Sequence, residues 1–157
     1  MRQTASKLLR EHYVSVANEL LTPLQVVMAT ARAEFDGDLD KFIVLMEVVL
    51  RTASDKRLSA ITSQELMSGD SASYPTLGTN IRSIAQSSGI PRETVRRKVL
   101  DLLAEGWIER NDHTLGMAPK ASKKLTPVRD VILDLAARNY QTVMTLAERN
   151  GGQDETG

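Results

Sequence analysis

The sequence predicts a mainly α-helical protein with one small β-hairpin. Three observations carry this prediction. The hydrophobic content of 41% comes with an aromatic share of only 4%, so the core is built on Leu, Val, Ile and Met, a composition that favours helices. Long stretches carry apolar residues at a period near 3.6. One stretch, Ile81 to Arg110, reads IRSIAQSSGIPRETVRRKVLDLLAEGWIER: a short helix, a glycine turn, a second helix and then a strand. That order is the layout of a winged helix-turn-helix flanked by further helices.

From the N-terminus, Thr4 to Leu21 places Leu9, Tyr13, Val16, Ala17 and Leu20 on one helical stripe. Thr22-Pro23 then predicts a break. Thr22 suits an N-cap, Pro23 the first helical position, and Gln25 completes a capping box, so a new helix or a sharp kink is expected from Pro23 to Glu34. Its expected buried face is Leu24, Val27, Met28 and Ala31. Asp36, Asp38, Asp40 and Glu47 fit positions 1, 3, 5 and 12 of a calcium-loop template. Lys41 stands where that loop needs glycine, so the reading here is an acidic turn capping the next helix.

That helix, Leu39 to Thr52, is apolar nearly all round and should lie at the centre of the core. Lys56 to Asn80 is a Ser/Thr/Gly-rich connection. A short helix is expected within it at Ser63 to Met67, with Thr62 and Glu65 as a capping box.

In the helix-turn-helix, Asn80 caps the first helix, Ala85 is the small residue at the crossing and Gly89 makes the turn. Ile84, Ile90 and Val95 are the expected buried contacts, and Val95, Val99 and Leu102 share one inward face. Arg97 and Glu93 point away from that face, Thr94 and Arg96 flank it, and Arg92 and Lys98 lie nearer its edge. Guanidinium forks on an exposed helix suit guanine edges and phosphates, and the long stems of Arg92 and Lys98 can still carry their charges out to a backbone, so Arg92, Glu93, Thr94, Arg96, Arg97 and Lys98 are candidate DNA contacts. Gly106 ends the helix, Trp107 is expected to pack, and Asn111-Asp112 turns the hairpin, with His113 to Ala118 returning. Arg110, His113, Lys120, Lys123 and Lys124 are candidates for contact with a nucleic-acid backbone or minor groove. Thr126-Pro127 opens a last long helix, to Arg149, with Val128, Val131, Ile132, Leu135, Val143 and Met144 on one side. A disordered tail is expected from Gly151.

The resulting division is 1–36, N-terminal dimerisation helices; 37–124, the winged helix-turn-helix, with the helix pair at 81–104 and the wing at 107–119; 125–150, a C-terminal dimerisation helix; and 151–157, the tail. Net charge is zero, but it is unevenly spread. Between Ile81 and Lys124 nine Lys/Arg meet five acids, while elsewhere 11 basic residues face 15 acidic ones. A basic segment on an acidic body is what phosphate binding through one region requires.

The run GIPRETVRRKVLDLLAEGWIER resembles the winged-helix signature of bacterial regulators of the GntR and MarR families. Arg92, Thr94, Val95, Arg96, Leu102, Glu105, Gly106 and Ile108 match it. Lys98 and Val99 depart from it, standing where those families often carry Ala and Leu. The long flanking helices look more like the MarR layout, in which both ends build the dimer. The resemblance implies Arg92, Thr94 and Arg96 as DNA contacts, Val95, Leu102 and Ile108 as core, and, in many members, a small-molecule effector.

These readings converge on an expected function: a sequence-specific, double-stranded-DNA-binding transcriptional regulator, acting as a homodimer on a near-palindromic site. The alternative is a winged-helix protein–protein interaction module without DNA binding. An exposed basic face at Arg92, Arg96 and Arg97 favours the first. No catalytic role is expected. Cysteine is absent, His12 and His113 lie far apart, and no glycine-rich phosphate loop or metal-ligand spacing occurs. No cofactor is called for. The N-terminal segment has charges where a signal peptide needs an apolar block, and no run approaches membrane-spanning length, so a cytoplasmic protein without a membrane partner is expected.

Overall fold

A computed structural model describes residues 4–54, 56, 60–69 and 79–151. The described elements, in order, are helices α1 (Ala5–Glu11), α2 (Tyr13–Glu34), α3 (Leu39–Ala53), α4 (Ser63–Ser68), α5 (Ile81–Ser88) and α6 (Arg92–Ala104). Strands β1 (Ile108–Asn111) and β2 (Thr114–Met117) follow, and then α7 (Pro119–Lys124) and α8 (Thr126–Gly151). The two strands form one antiparallel sheet, with Ile108 opposite Met117 and Asn111 opposite Thr114. The protein is therefore mainly helical with a small hairpin. Among the described residues no helix is long and apolar enough to cross a membrane.

Two compact units are present, one made of residues 1–30 with 128–157 and the other of 31–127. The central unit has a single core. Phe35, Val44, Leu45, Val48, Ile84, Val95, Val99 and Leu102 are essentially inaccessible to solvent, and Ile90, Trp107, Ile108, Leu115, Met117, Ala121 and Leu125 complete the cluster. α3 lies at its centre, touching α5, α6 and β2. Its spacing explains this: Val44, Leu45 and Val48 form the inward stripe, and Thr52 one turn on satisfies its hydroxyl on the Val48 carbonyl. Ile43 and Leu50 remain exposed, so the helix is less uniformly buried than its composition suggests. Phe35 stacks on Trp107 at 4.9 Å between ring centroids. Trp107 is thus a packing residue, and its indole N–H donates to Glu105 at 3.0 Å.

α4 has the expected capping box, with the Thr62 side chain accepting from the Glu65 backbone and the Glu65 carboxylate accepting from Thr62. It closes at Ser68 with Gly69 as its cap, and residues 70–78 of the expected Ser/Thr/Gly-rich connection lie outside the described residues. α7 is an element the sequence reading lacks. Pro119 sits in its first turn, Ala121 and Ser122 are buried, and the Ser122 hydroxyl donates to the Leu66 carbonyl, docking α7 on α4.

The terminal unit corrects the sequence reading in two places. The first is the new helix expected at Pro23, which does not start there. α2 runs unbroken through Pro23, and the chain instead pauses at His12, whose carbonyl accepts both the backbone N–H and the hydroxyl of Ser15. The carbonyl that Pro23 leaves without its helical donor belongs to Glu19, an exposed residue that water can reach, while the proline itself is buried. Thr22 does not cap; its hydroxyl donates to the Asn18 side chain at 3.3 Å. The second is the buried face. Leu24 and Met28 are exposed, Val27 is half-buried and Ala31 is buried. The inward stripe is Val16, Leu20, Pro23 and Val27, a register apart from the expected one.

On α8 Val128 and Leu146 are buried, and Val131, Leu135 and Val143 are half-buried. Ile132 and Met144, expected on the same side, are exposed. The helix extends to Gly151, and the rest of the expected tail lies outside the described residues.

Candidate nucleic-acid interface

Local chemistry defines the ends of the α5–α6 pair. The Asn80 side chain accepts from the Ser83 backbone at 3.0 Å, and the Ser83 hydroxyl accepts from the Asn80 backbone at 3.2 Å, a reciprocal cap. Gly89, at φ +73°, closes α5 in the left-handed region where a Cβ is costly. Pro91 precedes α6 and gives no side-chain cap. Ile84, Ile90, Val95, Val99 and Leu102 are buried, as their spacing requires. α6 ends in a Schellman motif: the Trp107 N–H donates to the Leu102 carbonyl at 2.9 Å and the Gly106 N–H to the Leu103 carbonyl at 3.2 Å.

Two ion pairs lock α6 to α3 from below. Asp38 caps α3 by accepting from the Lys41 backbone, and its carboxylate also holds the Lys98 ammonium at 2.5 Å. Burial works to raise the Asp38 pKa, but the hydrogen bonds from Lys98 and from the Lys41 backbone, with the charges of both lysines, outweigh it and hold the group below its ordinary value. Lys41, itself buried, pairs with Glu105 at 2.8 Å. The hydrogen bond from Lys41 holds the Glu105 carboxyl below its ordinary range, against a desolvation cost, and that carboxylate in turn accepts the Trp107 indole N–H. Lys124 donates to the Glu105 carbonyl at 2.8 Å and lies over the Trp107 ring.

This arrangement redistributes the candidate contacts. Lys98 is half-buried and engaged by Asp38, so it is a structural group rather than a free cation at the surface. Its edge position on α6 turned its ammonium inward to an acid 60 residues away in sequence. Lys124 is likewise held against Glu105 and Trp107. Thr94 is half-buried. Lys120 and Lys123 are exposed on α7 and do not line the cleft described next.

Arg92, Arg96 and Arg97 project from the exposed face of α6. Arg96 is paired with Glu93: Nε donates to both carboxylate oxygens, at 3.1 and 2.9 Å, and Nη2 donates to Oε1 at 2.7 Å. A backbone hydrogen bond from Leu115 to the Thr79 carbonyl (3.2 Å) ties β2 to the start of α5. The hairpin turns through Asp112 and His113, with Asp112 at φ +53°, a region that Asp tolerates better than most residues. This is one residue beyond the expected Asn111-Asp112 turn.

Beside the tie between β2 and Thr79 lies a cleft of about 400 Å³ lined by Asn80, Ile81, Arg82, Arg92, Arg110, Asp112, His113 and Leu115. Three guanidinium groups and an imidazole thus meet a single carboxylate. Among the described residues Arg82, Arg92, Arg97 and Arg110 have no ion-pair partner. Unpaired, exposed guanidinium groups around a cleft suit an anion with several acceptor oxygens.

No family model, curated protein or solved structure matches this chain. The site's geometry brings Arg92, Arg110 and His113 of the candidate set to one cleft and leaves Lys98 and Lys120 outside it. It also adds Arg82 and Asn80, which the sequence reading did not select. One sequence signal for Arg82 existed: a helix capped at Asn80 puts residue 82 in its first turn, beside whatever the cap faces.

Proposed function

We propose that this protein is a sequence-specific DNA-binding regulator, with α5 and α6 as a helix-turn-helix, the β1–β2 hairpin as its wing, and two copies acting on a near-palindromic site. The arginine-lined cleft beside the exposed arginines of α6 carries the reading. In it α6 enters the major groove, Arg96 and Arg97 meet base edges and phosphates, and Arg82, Arg92, Arg110 and His113 meet the flanking backbone. The Asp38–Lys98 and Lys41–Glu105 pairs support α6 against α3, the rigid backing that positional readout needs.

Pairing of two copies is supported by the outer faces of the terminal unit. Val14, Ala17, Leu21, Leu24 and Met28 recur along α2 at alternating spacings of three and four, and Val14, Leu21, Leu24 and Met28 are well exposed. On α8 the exposed Leu133 and Tyr140 lie on a similar line with Ala136 and Ala147. Within α2 the only charges are Glu19, Arg32 and Glu34, so little opposes burial of this stripe. Small-molecule control would use the cleft of about 380 Å³ between α2 and α8 in the same unit, whose lining includes Asn18, Glu19, Gln141 and Arg149.

The test is selection of bound duplexes from a random pool, followed by salt titration. An inverted repeat and an affinity that falls steeply with salt are expected. No salt-dependent binding to any duplex at low salt refutes the proposal and favours a protein-interaction module instead.

A further inference from the structure

Of the three arginines on α6, only Arg96 has an ion-pair partner among the described residues, and that partner, Glu93, is one turn away on the same exposed face. The geometry of this pair is specific. Glu93 occupies the side edge of the guanidinium, formed by Nε and Nη2. The end edge, formed by Nη1 and Nη2, still carries two outward N–H groups, the fork that matches O6 and N7 of guanine. Glu93 also lies in the first turn of α6, where a carboxylate is favoured by the helix dipole, and the hydrogen bond from Arg96 holds its pKa below the ordinary value.

We infer that Glu93 is a specificity-determining residue, which presents Arg96 end-on to a base edge and keeps it from bare phosphate. The inference rests on the DNA-binding reading above. Its physical basis is charge. A phosphate approaching Arg96 must come close to the Glu93 carboxylate, and like charges repel. A guanine edge is neutral and carries no such penalty. Arg92 and Arg97 make no ion-pair contact among the described residues and are left for the backbone; the Glu93 charge also reaches Arg97, but only Arg96 is held by it through hydrogen bonds. Glu93 contributes little to affinity on its own account; it makes the wrong contact unfavourable, which is how discrimination is built when attraction alone is indifferent to sequence.

The experiment compares the parent with Glu93→Gln, Arg96→Ala and the double variant. Dissociation constants are measured over a salt series for two duplexes of equal length: one selected by the parent from a random pool, and one unselected. For Glu93→Gln the unselected duplex should bind about three- to tenfold tighter, with a salt slope steeper by about one phosphate contact. The ratio of selected to unselected affinity should fall about tenfold, the loss expected when one bidentate base contact is loosened. In the Arg96→Ala background the ratio is already low, and Glu93→Gln should leave it unchanged. A Glu93→Gln variant that tightens both duplexes by the same factor overturns the inference, because Glu93 is then only a distributed negative charge. So does an unchanged ratio with an unchanged slope. A parent that binds no duplex overturns the DNA-binding reading and the inference together. Circular dichroism melts check that the variants fold, and an exposed pair of this kind should not shift them.

Discussion

Removing the Lys98 ammonium tests whether that group belongs to the fold or to the interface. The substitution is Lys98→Met, which keeps the length of the stem and deletes the charge. Lys98 and Asp38 are 21% and 27% exposed as side chains and lie 2.5 Å apart. Fully exposed pairs contribute about 0–1 kcal/mol, and hydrogen bonds to charged groups about 1.5–3 kcal/mol. A pair about three-quarters withdrawn from solvent falls between these limits, at about 1.5 kcal/mol. The assay is urea denaturation of a double-mutant cycle with Asp38→Asn, which keeps a good N-cap for α3 while removing the charge. The coupling should depend on pH with a definite sign. The folded pKa of Asp38 is depressed, so its contribution is complete above the unfolded value of about 3.9 and is lost as pH falls through the folded one. The coupling near pH 7 should therefore shrink as pH falls below the unfolded value and vanish once pH has passed below the depressed folded one. DNA binding adds a second readout: Lys98→Met should leave the salt slope unchanged. A coupling near zero at neutral pH, or a slope lowered by about one phosphate contact, would return Lys98 to the interface and refute the argument.

Arg92→Ala and Arg110→Ala, both in the cleft, should each lower the salt slope of duplex binding by about one phosphate contact across all sequences; a change confined to one base position in selection experiments would reassign the residue to readout. Gly106→Ala should destabilise the protein by about 1 kcal/mol in urea or thermal unfolding, because φ is +74° and nothing lies near the new methyl, leaving the backbone conformation as its only cost. Gly106→Asn should cost less, since Asn visits this region more readily, and equal losses would contradict the account. Leu21→Glu with Leu24→Glu should convert a dimer to monomers in sedimentation experiments, raising the dimer dissociation constant by about 100-fold or more while leaving helicity intact. A dimer that survives both charges does not use this stripe.

Short-range signals in the sequence translated faithfully into structure. Asn80 with Ser83, Thr62 with Glu65, and Gly89 and Gly106 after their helices act within a few residues, so their geometry is decided locally. The inward faces of α3 and α6 were legible for the same reason, because helical periodicity needs no partner to be read. Several of the differences involve competition with something distant. Thr22-Pro23 has the local form of a helix start, yet its proline is buried and the helix continues. Lys98 looks like a cation on an exposed helix until Asp38 arrives from a remote turn. Arg82 joins Arg92 and Arg110 through the packing of α5, α6 and β2 on one core, with Leu115 hydrogen-bonded to Thr79 beside the cleft. The buried face of α2 lies a register away from the expected one because its sequence carries two apolar stripes, and periodicity alone does not say which one the chain covers itself.

The stack of Phe35 on Trp107 has a practical side. Trp107 is the only tryptophan in the chain, and it lies in the core of the central unit against Phe35, Glu105 and Lys124. Fluorescence excited at the indole band therefore watches that unit alone, whereas far-ultraviolet dichroism is dominated by helices of both. Unfolding followed by the two signals side by side becomes a measure of cooperativity: coincident midpoints mean the units melt as one, and separated midpoints give each its own stability. The protein carries its own optical label on the half proposed to touch DNA.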